Sequence, residues 1–236
     1  MTPDDPWLAA VWPFVHGRLP SAPASVVEVG CGTLGGFVPA LVEAGYQAVG
    51  VDPEAPEGPS YRRIEFERYE PPQPPDCVVA SLSLHHVAEL DAALDRIQAL
   101  LAPGGVLVVV EWAWERFDQA TAQWCFTRLA APAQEAEHDW LHHHQERWAA
   151  SGQPWDAYVR AWSDQEGLHQ GAAIVAGLDA RFRRRFHAEG PYFFADLAAT
   201  SEAEEQAAID AGQIQACGIR YAAVTPGGPP GAGQRG

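Results

Sequence analysis

Short apolar runs alternate with amphipathic stretches through the first half of the chain, and the two patterns have different periods. Ser25-Val26-Val27-Glu28-Val29, Tyr46 to Val51, Asp76-Cys77-Val78-Val79-Ala80 and Val106 to Val110 are compact valine-rich runs that read as strands. A weaker run from Tyr61 to Phe66 predicts another. Between them, Phe37, Leu41 and Ala44, and then Val87, Leu90, Leu94, Ile97 and Leu101, recur at helical spacing; Gly45 and Pro103-Gly104-Gly105 stop these two helices. Near-continuous valine strands alternating with helices predict an α/β fold with a mostly parallel sheet buried on both faces. Ahead of it, Pro6 to Leu19 predicts an amphipathic helix with Asp5 as N-cap, Trp7, Leu8, Val11, Trp12 and Val15 on one face, and a kink at Pro13.

From Trp112 to Gln170 the pattern changes. Trp112, Trp114, Trp124, Trp140, Trp148, Trp155 and Trp162 crowd this stretch with His138, His142, His143, His144 and His169, and several share a helical period. A helical cap inserted after the fifth strand accounts for this. The sheet resumes with a strand within Arg184–Phe194, a helix through Glu204–Gln213 and a last strand Ile219–Val224. The expected organisation is a covering helix over 1–24, a ligand-binding half over 25–111, the cap over 112–180, the remaining sheet over 181–225 and a disordered Pro/Gly tail over 226–236.

Composition narrows the chemistry. All fifteen basic residues of the 236 are arginine, so a P-loop lysine and a lysine Schiff base are both excluded. The absence of asparagine excludes N-glycosylation and the Asn-Pro-Pro-aromatic signature of DNA amino-methylating enzymes. A net charge of −16 repels a phosphate backbone, so nucleic acid is not an expected partner. Cys31, Cys77, Cys125 and Cys217 lie too far apart for a Cys-x-x-Cys pair, which predicts neither a disulfide framework nor a zinc knuckle. Asp4 and Asp5 stand where a signal peptide needs basic charge, and no run approaches the ~20 apolar residues of a membrane span. A cytoplasmic protein without a membrane partner is expected.

The first strand runs into Gly30-Cys31-Gly32-Thr33-Leu34-Gly35-Gly36 ahead of a helix, and Asp52 ends the next strand. Glycines let a backbone approach a ligand, helix N-termini offer free N–H groups, and a carboxylate at Asp52 can accept from both hydroxyls of a ribose. Read literally, the glycine spacing fits NAD; the alternative is S-adenosylmethionine. Glu28, two residues ahead of Gly30, would repel a diphosphate and attract a sulfonium and an ammonium, and no arginine sits in the loop to offset it. Charge therefore favours S-adenosylmethionine.

Val27-Glu28-Val29-Gly30-Cys31-Gly32-Thr33 resembles the first motif of the class I S-adenosylmethionine-dependent methyltransferases, and Val51-Asp52 their second acid. The run from Asp76 through Ser81-Leu82-Ser83-Leu84-His85-His86-Val87 resembles the strand-four motif of the small-molecule branch, and Leu100 to Leu107 resembles the turn before strand five. The likeness spans residues 25–111. It implies a Rossmann-like seven-stranded sheet whose last strand is antiparallel. It places Glu28, Gly30, Cys31 and Gly32 around the methionine part of the donor, Asp52 on the ribose, Pro53 beside the adenine, and Ser81 and Leu82 under the methionyl chain. Glu65, Phe66 and Glu67 are alternatives for the adenine contact.

Ligands of such sheets bind at the carboxyl edge, which brings forward His85, His86 and Glu111 as catalytic candidates. Trp12, Trp112, Trp114 and His142 are candidate acceptor contacts. His138 and His142 stand one helical turn apart, but no third ligand accompanies them, and no metal is expected. The expected function is methylation of a small molecule at oxygen or nitrogen, enclosed by the N-terminal helix and the cap. Donor binding without turnover and nicotinamide-dependent oxidoreduction are the alternatives.

Overall fold

A computed structural model describes residues 5–129 and 140–226. Seven strands form one sheet: β1 (Ser25–Val29), β2 (Gln47–Val51), β3 (Tyr61–Arg62), β4 (Cys77–Ser81), β5 (Val106–Trp112), β6 (Arg183–Gly190) and β7 (Gly218–Val224). Their spatial order is β3-β2-β1-β4-β5-β7-β6. Neighbours from β3 to β5 are parallel, while β7 runs antiparallel to both β5 and β6. The chain reverses outward on both sides of β1, and this opens a crevice at the carboxyl ends of β1 and β4.

Alternation along the strands divides the core into two layers. Val27, Val29, Val78, Ala80, Leu107 and Val109 face α3 (Leu90–Leu100) and α7 (Gly171–Arg181). Val26, Cys77, Val79, Val108 and Val110 face α1 (Pro6–His16) and α2 (Val38–Glu43). Burial of the sheet on both faces is the physical reason its central strands carry almost no polar residue. Asp5 caps α1 by accepting from Leu8 N at 2.8 Å, and the helix continues past Pro13 to His16.

The Trp-rich stretch holds α4 (Gln119–Phe126), α5 (Trp140–Ser151) and α6 (Trp155–Glu166). Trp112, Trp114, Phe117, Trp155, Tyr158 and Phe193 are buried together there, so the tryptophans are the core of the cap itself. The cap is shorter than the pattern suggested. Ile174 and Leu178 of α7 pack against the sheet, which makes α7 a sheet-covering helix, and Glu115 caps it by accepting from Gly171 N and Ala172 N at 2.9 Å. The expected strand at Tyr61–Phe66 reduces to Tyr61–Arg62, and Phe66–Arg68 turn into a 3₁₀ helix. α8 (Glu202–Asp210) carries a complete capping box between Ser201 and Glu204. His138 and residues 227–236 lie outside the described residues. No helix among the described residues is long and apolar enough to cross a membrane.

Candidate functional site

The crevice is a cavity of about 1130 Å³. Gly30, Cys31, Gly32, Thr33 and Leu34 line it from the turn after β1, Asp52 and Pro53 from the end of β2, and Ser81, Leu82, Ser83 and His86 from the turn after β4. Glu65, Phe66 and Glu67 line it beyond β3. Every loop involved follows the carboxyl end of a strand, as the topology requires.

Asp52 organises the glycine turn. Its Oδ2 accepts from Gly32 N at 3.1 Å and its Oδ1 from Glu54 N at 2.7 Å, so the carboxylate is held at the rim with lone pairs to spare. Gly32 has φ +60°, and a Cβ built there meets nothing within 4 Å. The turn thus presents bare backbone to the cavity where a side chain would intrude. Leu82 at the opposite wall adopts φ +47°, a conformation uncommon for a branched residue. Burial pushes the Cys31 thiol up to about 12, so it stays protonated and serves as wall.

Glu28 does not line the cavity. It shares its strand face with Val26 and points under the turn, where both carboxyl oxygens accept from Phe37 N at 2.8 and 3.0 Å. At Gly36, with φ +55°, an added Cβ would come within 2.3 Å of Glu28 Oε1. Contrary to the expectation from charge, Glu28 does not face a ligand in the cavity; it supports the turn from below. Burial raises its carboxyl to about 8, against the pull of the Phe37 and Val38 N–H groups. Between the ordinary value of 4.5 and about 8 the folded protein holds a proton that the unfolded chain has released. The contribution of Glu28 to stability is then expected to fall as pH rises through that window, by at most ~1.4 kcal/mol per pH unit, and to level off above it. Urea midpoints measured across pH 6.5–8, above the range where the depressed His86 and His144 add an opposing slope, should show the fall in the wild type and its loss in Glu28→Gln; equal slopes would assign the proton elsewhere.

His85 and Glu111 are also withdrawn from the cavity wall. Glu111 is fully buried; its Oε1 accepts from Leu84 N at 2.6 Å, and its Oε2 from Trp112 N at 2.9 Å and His85 Nδ1 at 2.6 Å. Burial pushes this carboxyl up, but His85 and the hydrogen bonds outweigh it and hold it below the usual range. The pair is a bracket that fastens the turn after β4 to the end of β5. His169 adds a clip, bonding the carbonyls of His85 through its N–H and of Val87 through its ring. His86 does line the cavity, and burial together with its neighbour His85 lowers it to about 4, leaving a neutral imidazole.

The remaining wall comes from chain-distant segments. Asp5, Pro6, Trp7 and Leu8 enter from the start of α1, Trp140 and His142 from α5, and Tyr192, Ala195 and Asp196 from the loop after β6. Ring centroids of Tyr192 lie 6.3 Å from Trp7 and 6.4 Å from Trp140. Trp7 Nε1 is buried and has no hydrogen-bond partner among the described residues. Glu205 holds this loop from behind, accepting from Tyr192 N at 2.8 Å and Phe194 N at 2.7 Å. Of the expected acceptor contacts only His142 reaches the cavity. Trp12 stacks on Phe37, Trp114 donates to the His169 carbonyl, and Trp112 lies behind Tyr192, its ring 5.4 Å away and nearly parallel. Trp7 and Trp140 stood on the two elements expected to enclose the site, the N-terminal helix and the Trp/His cap, without being singled out as contacts, whereas Tyr192 and Asp196 escaped the sequence. No three His, Cys, Asp or Glu side chains gather as a metal set among the described residues.

The residues at the glycine turn suit S-adenosylmethionine: open backbone at Gly32, a rim carboxylate at Asp52 for a ribose, and no arginine on the cavity wall among the described residues to receive a diphosphate. The model of a methyltransferase domain matches residues 9–154. No curated protein sequence matches the chain. Among solved structures, it is similar to an S-adenosylmethionine-dependent methyltransferase from Mesorhizobium loti at 19% identity, with 92% of this chain and 98% of that one covered and a TM-score of 0.54. The N-methyltransferase NodS from Bradyrhizobium japonicum, in complex with S-adenosylhomocysteine, aligns at 14% identity over 95% of this chain and 93% of that one, with a TM-score of 0.52. A geranyl diphosphate C-methyltransferase from Streptomyces coelicolor aligns at 14% identity over 92% and 80%, with a TM-score of 0.53. The family match extends over more than half of the chain and the sheet order agrees with its fold, and so the chain belongs to the S-adenosylmethionine-dependent methyltransferases of class I.

Proposed function

We propose that the chain transfers a methyl group from S-adenosylmethionine to a small molecule held in the same cavity. The observation that carries this is the division of one cavity of about 1130 Å³ between a glycine turn with its rim carboxylate and a separate aromatic wall. That volume exceeds the ~300–1,000 Å³ of a site for one drug-sized ligand, leaving room for donor and acceptor side by side.

When bound, the donor supplies a methyl carbon already activated by its sulfonium. What the protein contributes is placement and exclusion of water, worth up to ~7–11 kcal/mol when two reactants are held in line. Asp52 would accept from the ribose hydroxyls, Pro53, Glu65 and Phe66 would border the adenine, and the N–H groups of the turn would meet the methionine carboxylate. Ser81 and Leu82 would form the floor beneath the reacting carbon, fixed by the Glu111–His85 bracket. The start of α1 and the loop at Tyr192 would close over the acceptor.

Isothermal titration should register S-adenosylmethionine and no response to NADH. Gly32→Val should weaken donor binding at least tenfold while the protein still folds, since the new side chain enters open space and the backbone strain at φ +60° is ~1–3 kcal/mol. With methyl-labelled donor and a cell extract, label should pass to the small-molecule fraction; label in protein or nucleic acid instead would overturn the acceptor class.

A further inference from the structure

The cavity wall carries six carboxylates, Asp5, Asp52, Glu65, Glu67, Glu89 and Asp196, and no arginine among the described residues. The chain has no lysine. Among the described residues, the histidines on this wall are His142 and the neutral His86. A wall of one sign does more than favour a cationic donor; it discriminates among acceptors.

Charge conservation shows how. Methylation of an ionised oxygen unites an anion with a sulfonium, so an anionic acceptor must first enter a negative cavity and the positive charge then vanishes. In this negative cavity the amine binds as an ammonium and first releases a proton to water, which leaves a neutral nucleophile. The nitrogen lone pair forms the bond to the methyl carbon, the carbon–sulfur bond breaks with its electron pair on sulfur, and the positive charge passes to nitrogen. The proton that the new ammonium later sheds goes to water. Carboxylates around the site stabilise the positive charge before, during and after that passage. The Trp7, Trp140 and Tyr192 rings add faces that attract an ammonium and an apolar surface for the rest of the molecule.

We propose that the acceptor is an amine with an apolar, ring-sized body, seated against Trp7, Trp140 and Tyr192 and methylated at nitrogen. This rests on the donor reading above, and the two can fail separately.

The test uses the full chain saturated with S-adenosylhomocysteine, with binding read by isothermal titration calorimetry. Three probes of one shape are titrated: 2-phenylethylamine, 2-phenylethanol and 3-phenylpropionate. The amine should bind at least tenfold more tightly than either of the others, and Glu89→Gln combined with Asp196→Asn should shrink that gap at least fivefold with S-adenosylhomocysteine affinity unchanged. Carboxylate or alcohol binding equal to or tighter than the amine, or no amine binding to the loaded protein, overturns the acceptor proposal. Failure of S-adenosylhomocysteine itself to bind overturns the donor reading instead.

Discussion

Asp52→Ala should reduce the affinity for S-adenosylmethionine by two to three orders of magnitude, on the order of 3–4 kcal/mol. Two losses combine. Hydrogen bonds from ribose hydroxyls to a carboxylate are worth ~1.5–3 kcal/mol each, and the Gly32 N–H that Asp52 accepts at 3.1 Å loses the partner that shapes the turn. Asp52→Asn should fall between the two, because an amide oxygen can still receive Gly32 N–H but presents one acceptor atom in place of two. Calorimetry on all three proteins measures the series. An alanine variant within threefold of the wild type would mean that the ribose is held elsewhere in the cavity.

The second large effect is on stability. Glu111→Ala should cost ~3–5 kcal/mol, because it removes the acceptor of Leu84 N, Trp112 N and His85 Nδ1 at once and leaves those donors in a site closed to water. Urea denaturation should show the shift in midpoint with little change in slope. An acceptor-contacting role would give the opposite pattern, with turnover lost and the midpoint unmoved. The bracket reading also predicts that the alanine variant binds donor more weakly, since Ser81 and Leu82 lie on the turn that Glu111 fastens.

The donor half of the fold was readable because it is local. Valine runs, glycine stops and the acid at Asp52 occupy one continuous stretch, and neighbouring strands carry neighbouring parts of the site. Glu28 shows the limit of reading by proximity alone. Two residues before a glycine turn it looked like part of the wall, yet period-two alternation from Val26 already places it on the face covered by α2. Glu111 misled for a related reason: a carboxylate at the end of an apolar strand must find a partner, and its partners proved to be backbone N–H groups and His85. The aromatic wall of the cavity was largely illegible. It assembles from α1, α5 and residues 192–196, which no sequence period connects, and Glu205 holds the last of these from a helix whose own pattern says nothing about the cavity.

This distant assembly has a consequence for descent. None of the three segments that form the aromatic wall of the cavity belongs to a strand, so substitutions there can accumulate without disturbing sheet registry or the glycine turn. Relatives could diverge widely in what they modify while keeping the same donor chemistry, and the quickest route to a new preference would be exchange of the short loop tethered by Glu205.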